Sequence, residues 1–227
     1  AYSCIILIRM SKPNTVLAID TSHSNNSLAI INSNGVLSEI NMIKEEKPSE
    51  KIIELIEKSL RKANLDLHDL DCIAVGVGPG NFTGIRIGIS VAKGIALALD
   101  IKCIGINRFR TLVFNDSPTL AIINIKDDLY FTQIYEKKKP ISDPIEENFS
   151  KIINKKYNKQ TIVSGDNSLM ISQKLNLKCD KKNSIPKASE LGTICINSSD
   201  LHSNLPSPFY VKGPDAKLPT QPPLKIL

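Results

Sequence analysis

The 227-residue sequence predicts an α/β fold of two subdomains, the second reduced, and three observations carry that reading. Short strand-like runs open the chain at residues 16–20, 27–31 and 36–43, the last two joined by an Asn34-Gly35 hairpin signal. From residue 48 onward helical patterns alternate with apolar strands, as in crossover units that add parallel strands to a sheet. Beyond Ser117 similar elements return with weaker periodicity.

Residues 16–20 read as a buried strand ended by the small polar Thr21 and Ser22. A helix starts at Pro48-Ser49, because Ile52, Leu55, Ile56, Ser59, Leu60 and Ala63 recur on one helical face. Residues 72–77 form the continuous apolar run of a central strand covered on both sides. GPGNFTG at 78–84 follows, then a second helix to residue 99, a strand at 103–106, and a third helix from Asn107 through Phe114. The order β-β-β-α-β-α-β-α is that of the ribonuclease-H-like half-domain shared by actin, the Hsp70 chaperones and sugar kinases. It assigns 14–115 to a first subdomain and 116–227 to a smaller second one with a proline-rich tail. Residues 1–13 read as an N-terminal extension, with Met10 a natural start. In the second half, strands at 120–125 and 129–135 flank a Lys126-Asp-Asp turn, a strand at 161–164 precedes Gly165-Asp-Asn, and a short helix spans 190–196.

Composition is that of a soluble globular protein, 41% hydrophobic and 23% charged, without tryptophan, so Ile, Leu and Val must fill the core. The net charge is +6. Lysines at 137–139, 151, 155, 156, 159, 178, 181 and 182 could meet a nucleic-acid backbone, or simply solvate the surface, since acidic residues interrupt every run. The five cysteines, Cys4, Cys72, Cys103, Cys179 and Cys195, are dispersed and lack a C-x-x-C pair, which suggests neither a disulfide framework nor a zinc site. Cys72 and Cys103 read as small core residues in a reducing cytoplasm. The sequence offers no signal peptide and no apolar run of the roughly 18 residues that a membrane span needs.

GPGNFTG lacks the lysine of a phosphate-binding P-loop, Gly84 being followed by Ile85 and Arg86. Its glycine spacing is a relaxed dinucleotide fingerprint, but it follows the fourth strand instead of the first. A tight turn remains whose amides could hold an anion, with Asp20, Thr21, Ser22, Gly78, Gly80, Thr83 and Gly84 as the candidate anion or nucleotide loop and Thr83 as helix cap. The alternative is a compact turn with glycines where side chains would clash. On the helix that follows, Gly84, Gly88, Ala92 and Ala96 recur every four residues as a ridge of little bulk. That ridge invites another helix, either 52–63 of the same chain or one from a partner subunit. Ile52, Ile56, Leu60, Gly84, Arg86, Gly88, Ala92 and Ala96 are the candidate interface, and Gly88→Leu should abolish pairing while sparing the fold.

AIDTS at 18–22, GPGNFTGIRIGISVAKGIALAL at 78–99 and PFYVKGPDAK at 208–217 resemble the TsaB (YeaZ) family of bacterial tRNA threonylcarbamoyladenosine biosynthesis proteins. The resemblance implies an actin-like, Hsp70-like fold with a reduced second subdomain. It implies a non-catalytic scaffold or activator of the complex that makes N6-threonylcarbamoyladenosine at position 37 of tRNAs reading codons that begin with A. The implied partners are a TsaD-like catalytic paralogue, a TsaE-like ATPase, a second copy of the chain when alone, and tRNA through the complex. No cofactor of its own is implied, ATP or ADP being placed at the complex interface. The catalytic paralogue holds a metal through a histidine pair on its first helix. Here that helix, KEEKPSEKIIELIEKSL, has none, and His23, His68 and His202 lie in unrelated segments, so no metal site is expected. Asn81 stands where the family has serine, and Lys126-Asp-Asp replaces Asp-Ala-Arg.

A carboxylate pair of Asp20 and Asp166 across a cleft would suit a stand-alone ATP-dependent phosphotransferase. The competing reading ends a strand at Asp20 and places Asp166 in a Gly-Asp-Asn turn. A peptidase is the other enzymatic alternative, yet neither a Ser-His-Asp nor a Cys-His arrangement nor H-E-x-x-H can be argued from spacing.

Overall fold

Five strands make the first sheet of this computed structural model, in the order β3-β2-β1-β4-β5. The structure describes residues 13–23, 26–41, 48–180, 187–198 and 205–211. Residues 1–12 of the expected N-terminal extension, which include Cys4, and Lys181, Lys182, His202 and most of the tail lie outside the described residues.

Strands β1 (Thr15–Asp20), β2 (Ser27–Asn32) and β3 (Gly35–Asn41) form an antiparallel meander. Strands β4 (Cys72–Gly76) and β5 (Lys102–Ile106) then add in parallel beside β1. Helices α1 (Pro48–Ala63) and α2 (Phe82–Leu99) make the crossovers and cover one face. Ile52, Ile56 and Leu60 of α1 are at most 5% exposed; burying an aliphatic side chain of this size stabilises by about 1.5–3 kcal/mol. The third helix, α3 (Arg108–Thr111), is shorter than expected, although Asn107 does cap it, accepting from the Arg110 amide.

The second sheet repeats the topology of the first, which its weak periodicity concealed. Strand β6 (Thr119–Lys126) pairs antiparallel with β7 (Leu129–Glu136), and β7 with β8 (Lys139–Pro140) and β9 (Ile145–Asn148). Helix α4 (Phe149–Ile153) leads to β10 (Ile162–Gly165), parallel to β6, and α5 (Ser168–Leu175) leads to β11 (Lys178–Cys179), parallel to β10. The path β9-β7-β6-β10-β11 therefore matches β3-β2-β1-β4-β5 strand for strand. Two sheets of this kind are the actin-like architecture.

The last helix, α6 (Ala188–Asn197), departs from the expected partition. It covers the other face of the first sheet, where Ala188, Leu191, Cys195 and Ile196 meet Val16, Ala18, Ala29 and Ala74. Its apolar stripe is thus used by residues 16–106, although its place in the sequence follows the second sheet.

Candidate functional site

Two segments that the sequence singled out do converge. The turn after β1, Asp20-Thr21-Ser22, packs directly on the turn between β4 and α2. A Cβ at Gly84 would collide with the Thr21 carbonyl, and one at Gly80 with the Ser22 carbonyl, so both positions need glycine for close approach. Gly78 has φ +101 and is followed by a cis peptide to Pro79.

The contact engages several of the loop's hydrogen-bond donors. The Asn81 amide donates to the Ser22 carbonyl at 2.7 Å and the Ile85 amide to the Asn81 carbonyl at 2.9 Å. The Gly84 amide donates to Asn81 Oδ1 at 2.7 Å, and Thr21 Oγ1 donates to the Gly84 carbonyl at 2.6 Å. Asn81, not Thr83, is therefore the helix cap; Thr83 lies inside α2, exposed. The amides of Asn81, Gly84 and Ile85 and the hydroxyl of Thr21 thus face protein acceptors and hold the two turns together.

The two aspartates are committed as well. Asp20 is 3% exposed, and its Oδ1 accepts from the Ser22 amide at 2.9 Å and from Ser22 Oγ at 2.6 Å. Asp166 accepts from Arg108 Nη2 at 3.1 Å and from the Asn124 amide at 2.8 Å. Arg108 is 3% exposed, its amide donates to the Gly78 carbonyl at 2.7 Å, and its buried Nε has no hydrogen-bond partner among the described residues. The Asp20–Asp166 pair is thus replaced by an Arg108–Asp166 ion pair joining the turn of one sheet to the other. Sequence reasoning passed over Arg108; its signal was a cation, the first of two in NRFR, directly after an apolar strand. Among the described residues no group of three or more His, Cys, Asp or Glu is placed to hold a metal.

The small-residue ridge faces inward. Gly84, Gly88, Ala92 and Ala96 are buried, as are Ile52, Ile56 and Leu60 of α1, in the core beneath the two helices. A Cβ at Gly88 would strike Thr21 Oγ1 and lie 3.7 Å from Val75 Cγ2. The expectation that these residues meet a partner is corrected: they meet their own sheet, and Gly88→Leu would disrupt that packing before any docking. Of the candidate interface, Arg86 alone lies on the outward face.

That outward face has its own chemistry. Phe82 is 51% exposed and Leu97 85%, with Arg86, Ser90 and Gly94 exposed between them. The Arg86 guanidinium sits 3.8 Å from the Phe82 ring centroid, and Tyr210 stacks on the same ring at 5.3 Å. Arg86 Nε donates to Tyr210 Oη at 3.2 Å. Tyr210 belongs to the segment 205–211, whose Phe209 amide donates to the Val77 carbonyl at 2.8 Å, fastening it over the glycine turn. Gly94 is unlike the other glycines of α2: a Cβ there would meet nothing within 4 Å. At 18 residues α2 is also apolar enough, by length and composition, to cross a membrane, although the sequence reading found no such run; its inner face packs on the sheet.

Comparison with known proteins follows the same lines. The family model of TsaD, tRNA N6-adenosine threonylcarbamoyltransferase, matches residues 33–177. A tRNA threonylcarbamoyladenosine biosynthesis protein TsaB from Buchnera aphidicola subsp. Schizaphis graminum is 31% identical over 190 residues, covering 78% of this chain and 90% of that protein. TsaB proteins of Haemophilus influenzae and Escherichia coli are 30% and 34% identical over 131 and 97 residues, and the matches cover 55% and 42% of those proteins. The chain thus spans about half the length of these two relatives. YeaZ from Pseudomonas aeruginosa, a solved structure, superposes with a TM-score of 0.68 at 20% identity over 87% of this chain and 99% of that one, a likeness of fold.

Proposed function

The chain belongs to the TsaB family, and from that membership we propose that it takes part in tRNA threonylcarbamoyladenosine biosynthesis as a non-catalytic scaffold and activator subunit. It docks on a TsaD-like catalytic paralogue in the cytoplasm, where a TsaE-like ATPase joins them, and pairs with a second copy of itself when the paralogue is absent. The complex modifies adenine 37 of tRNAs reading ANN codons, and tRNA is met through the complex.

The observation that carries this reading is the outward face of α2. A mid-helix glycine costs about 1 kcal/mol against alanine. At Gly94 no contact among the described residues offsets that cost, whereas a helix of a partner laid across it would use the missing side chain for close backbone approach. Phe82 and Leu97 supply exposed apolar area on either side, and the Arg86–Phe82–Tyr210 cluster supplies a rigid cationic edge. A non-catalytic role is supported by the engagement of Asp20 with Ser22 and of Asp166 with Arg108. ATP or ADP accordingly belongs at the interface with the paralogue.

Leu97→Asp and Gly94→Leu alter only this face. Each should keep the thermal stability of the isolated chain within about 1 kcal/mol, as exposed positions do. Each should abolish co-elution with the TsaD-like paralogue and formation of threonylcarbamoyladenosine in a reconstituted assay. Full activity and co-elution from both variants would refute the docking face.

A further inference from the structure

Cys72, the first residue of β4, and Cys195, in the last turn of α6, are 123 positions apart, yet their sulfurs lie 3.6 Å from each other. Both residues are 1% exposed, within the cluster that holds α6 to the first sheet. One thiol donates to the other sulfur. Either sulfur can be the donor, so the bond couples the two thiols: whichever sulfur accepts is the more easily deprotonated.

We propose that Cys72 and Cys195 are an oxidative modification site, at which a hydroperoxide converts the adjacent thiols into a disulfide that fastens α6 to β4. One sulfur of the pair attacks the peroxide O–O bond, giving a sulfenic acid and releasing water when hydrogen peroxide is the oxidant. The second sulfur then attacks the first, the S–O bond breaks, and the hydroxyl leaves with the second thiol's proton as a second water. Two thiols and one peroxide give one disulfide and two waters, with two electrons passing from sulfur to oxygen. Closing 3.6 Å to a bond of about 2 Å takes a modest side-chain rotation and shift. Because the sulfurs are buried, the reaction proceeds through brief openings of α6. The resulting bond closes a loop containing the whole second sheet and so removes freedom from the unfolded chain.

The test treats the reduced native protein with a small molar excess of hydrogen peroxide, digests it without reductant, and maps the linked peptides. The expected result is a peptide pair containing residues 72 and 195, lighter by two hydrogens and separated by dithiothreitol, with a thermal midpoint raised by several degrees. Cys195→Ser should abolish both effects. Cys103→Ser, which leaves the pair intact, should retain them if Cys195→Ser perturbs folding. The selectivity should vanish when oxidation is carried out in guanidinium chloride. A native-state link joining Cys103 or Cys179 would overturn the proposal, as would oxidation of Cys179 alone with Cys72 and Cys195 still titrating as free thiols.

Discussion

Arg108 Nη2 lies 3.1 Å from Asp166 Oδ2, and this pair ties the short helix beyond the first sheet to the turn beyond β10 in the second. The side chains are 3% and 17% exposed, so the two partners are not equally able to survive alone. Removing the carboxylate with Asp166→Ala strands a buried guanidinium whose Nε already has no partner among the described residues. A loss of about 3 kcal/mol is expected, the usual cost of breaking a buried pair. Arg108→Met should cost less, because Asp166 reaches solvent and keeps the Asn124 amide. The double variant should recover part of the Asp166→Ala loss. Urea unfolding of all three completes the cycle, and additive losses would show the pair to be uncoupled.

Asn81 anchors the start of α2 through its side-chain oxygen and the Gly84 amide. Asn81→Ala should lower stability by about 1 kcal/mol, and Asn81→Ser should stay close to the parent, since serine accepts the same bond. Amide exchange at Gly84 and Ile85 is the sensitive measurement. Unchanged protection in Asn81→Ala would place the cap elsewhere.

Gly88 and Gly94 lie six residues apart on one helix and should respond oppositely to the same substitution. Gly88→Ala forces a methyl against Thr21 Oγ1 in the close-packed seam and should cost about 1–3 kcal/mol. Gly94→Ala meets open space and should stabilise the isolated chain by about 1 kcal/mol through helix propensity alone. Thermal unfolding of the two variants side by side distinguishes a packing glycine from a surface one.

That contrast also marks how far the sequence could be read. The period of α1 and the runs of β1 and β4 locate the first sheet, because burial on one or both faces leaves a direct residue pattern. Helix α2 is apolar almost all round, so its pattern cannot say which stripe faces in. The Gly84-Gly88-Ala92-Ala96 ridge reads, on bulk alone, as a seam for another helix of this chain or of a partner, whereas the deciding contact is Thr21, 67 positions before Gly88. Arg108–Asp166 and Cys72–Cys195 are likewise long-range, 58 and 123 positions apart, and no local period records them. The second sheet was half legible because β8, β9, β11 and α4 are between two and five residues long, too short to establish a period.

Buried acids should make the protein sensitive to alkali. Burial pushes the Cys103 thiol up to about 11 from its ordinary 9.0, with Lys93 partly opposing. Tyr135 and Tyr157 rise by the same cause to about 12 from 10.0. Each folded-state value lies above the unfolded one, so the folded chain retains protons that the unfolded chain gives up. The stability from these groups is therefore complete below about pH 9 and drains away as pH rises through 9 to 12. The unfolding free energy should be flat toward pH 9 and then fall, and Cys103→Ala should remove about one proton from the slope between pH 9 and 11. The tyrosine part can be followed independently by phenolate absorbance, of which the share from Tyr135 and Tyr157 should appear late in the folded protein and near pH 10 in urea. An unchanged slope in Cys103→Ala, with normal phenolate titration in the folded state, would show that these side chains are reached by solvent.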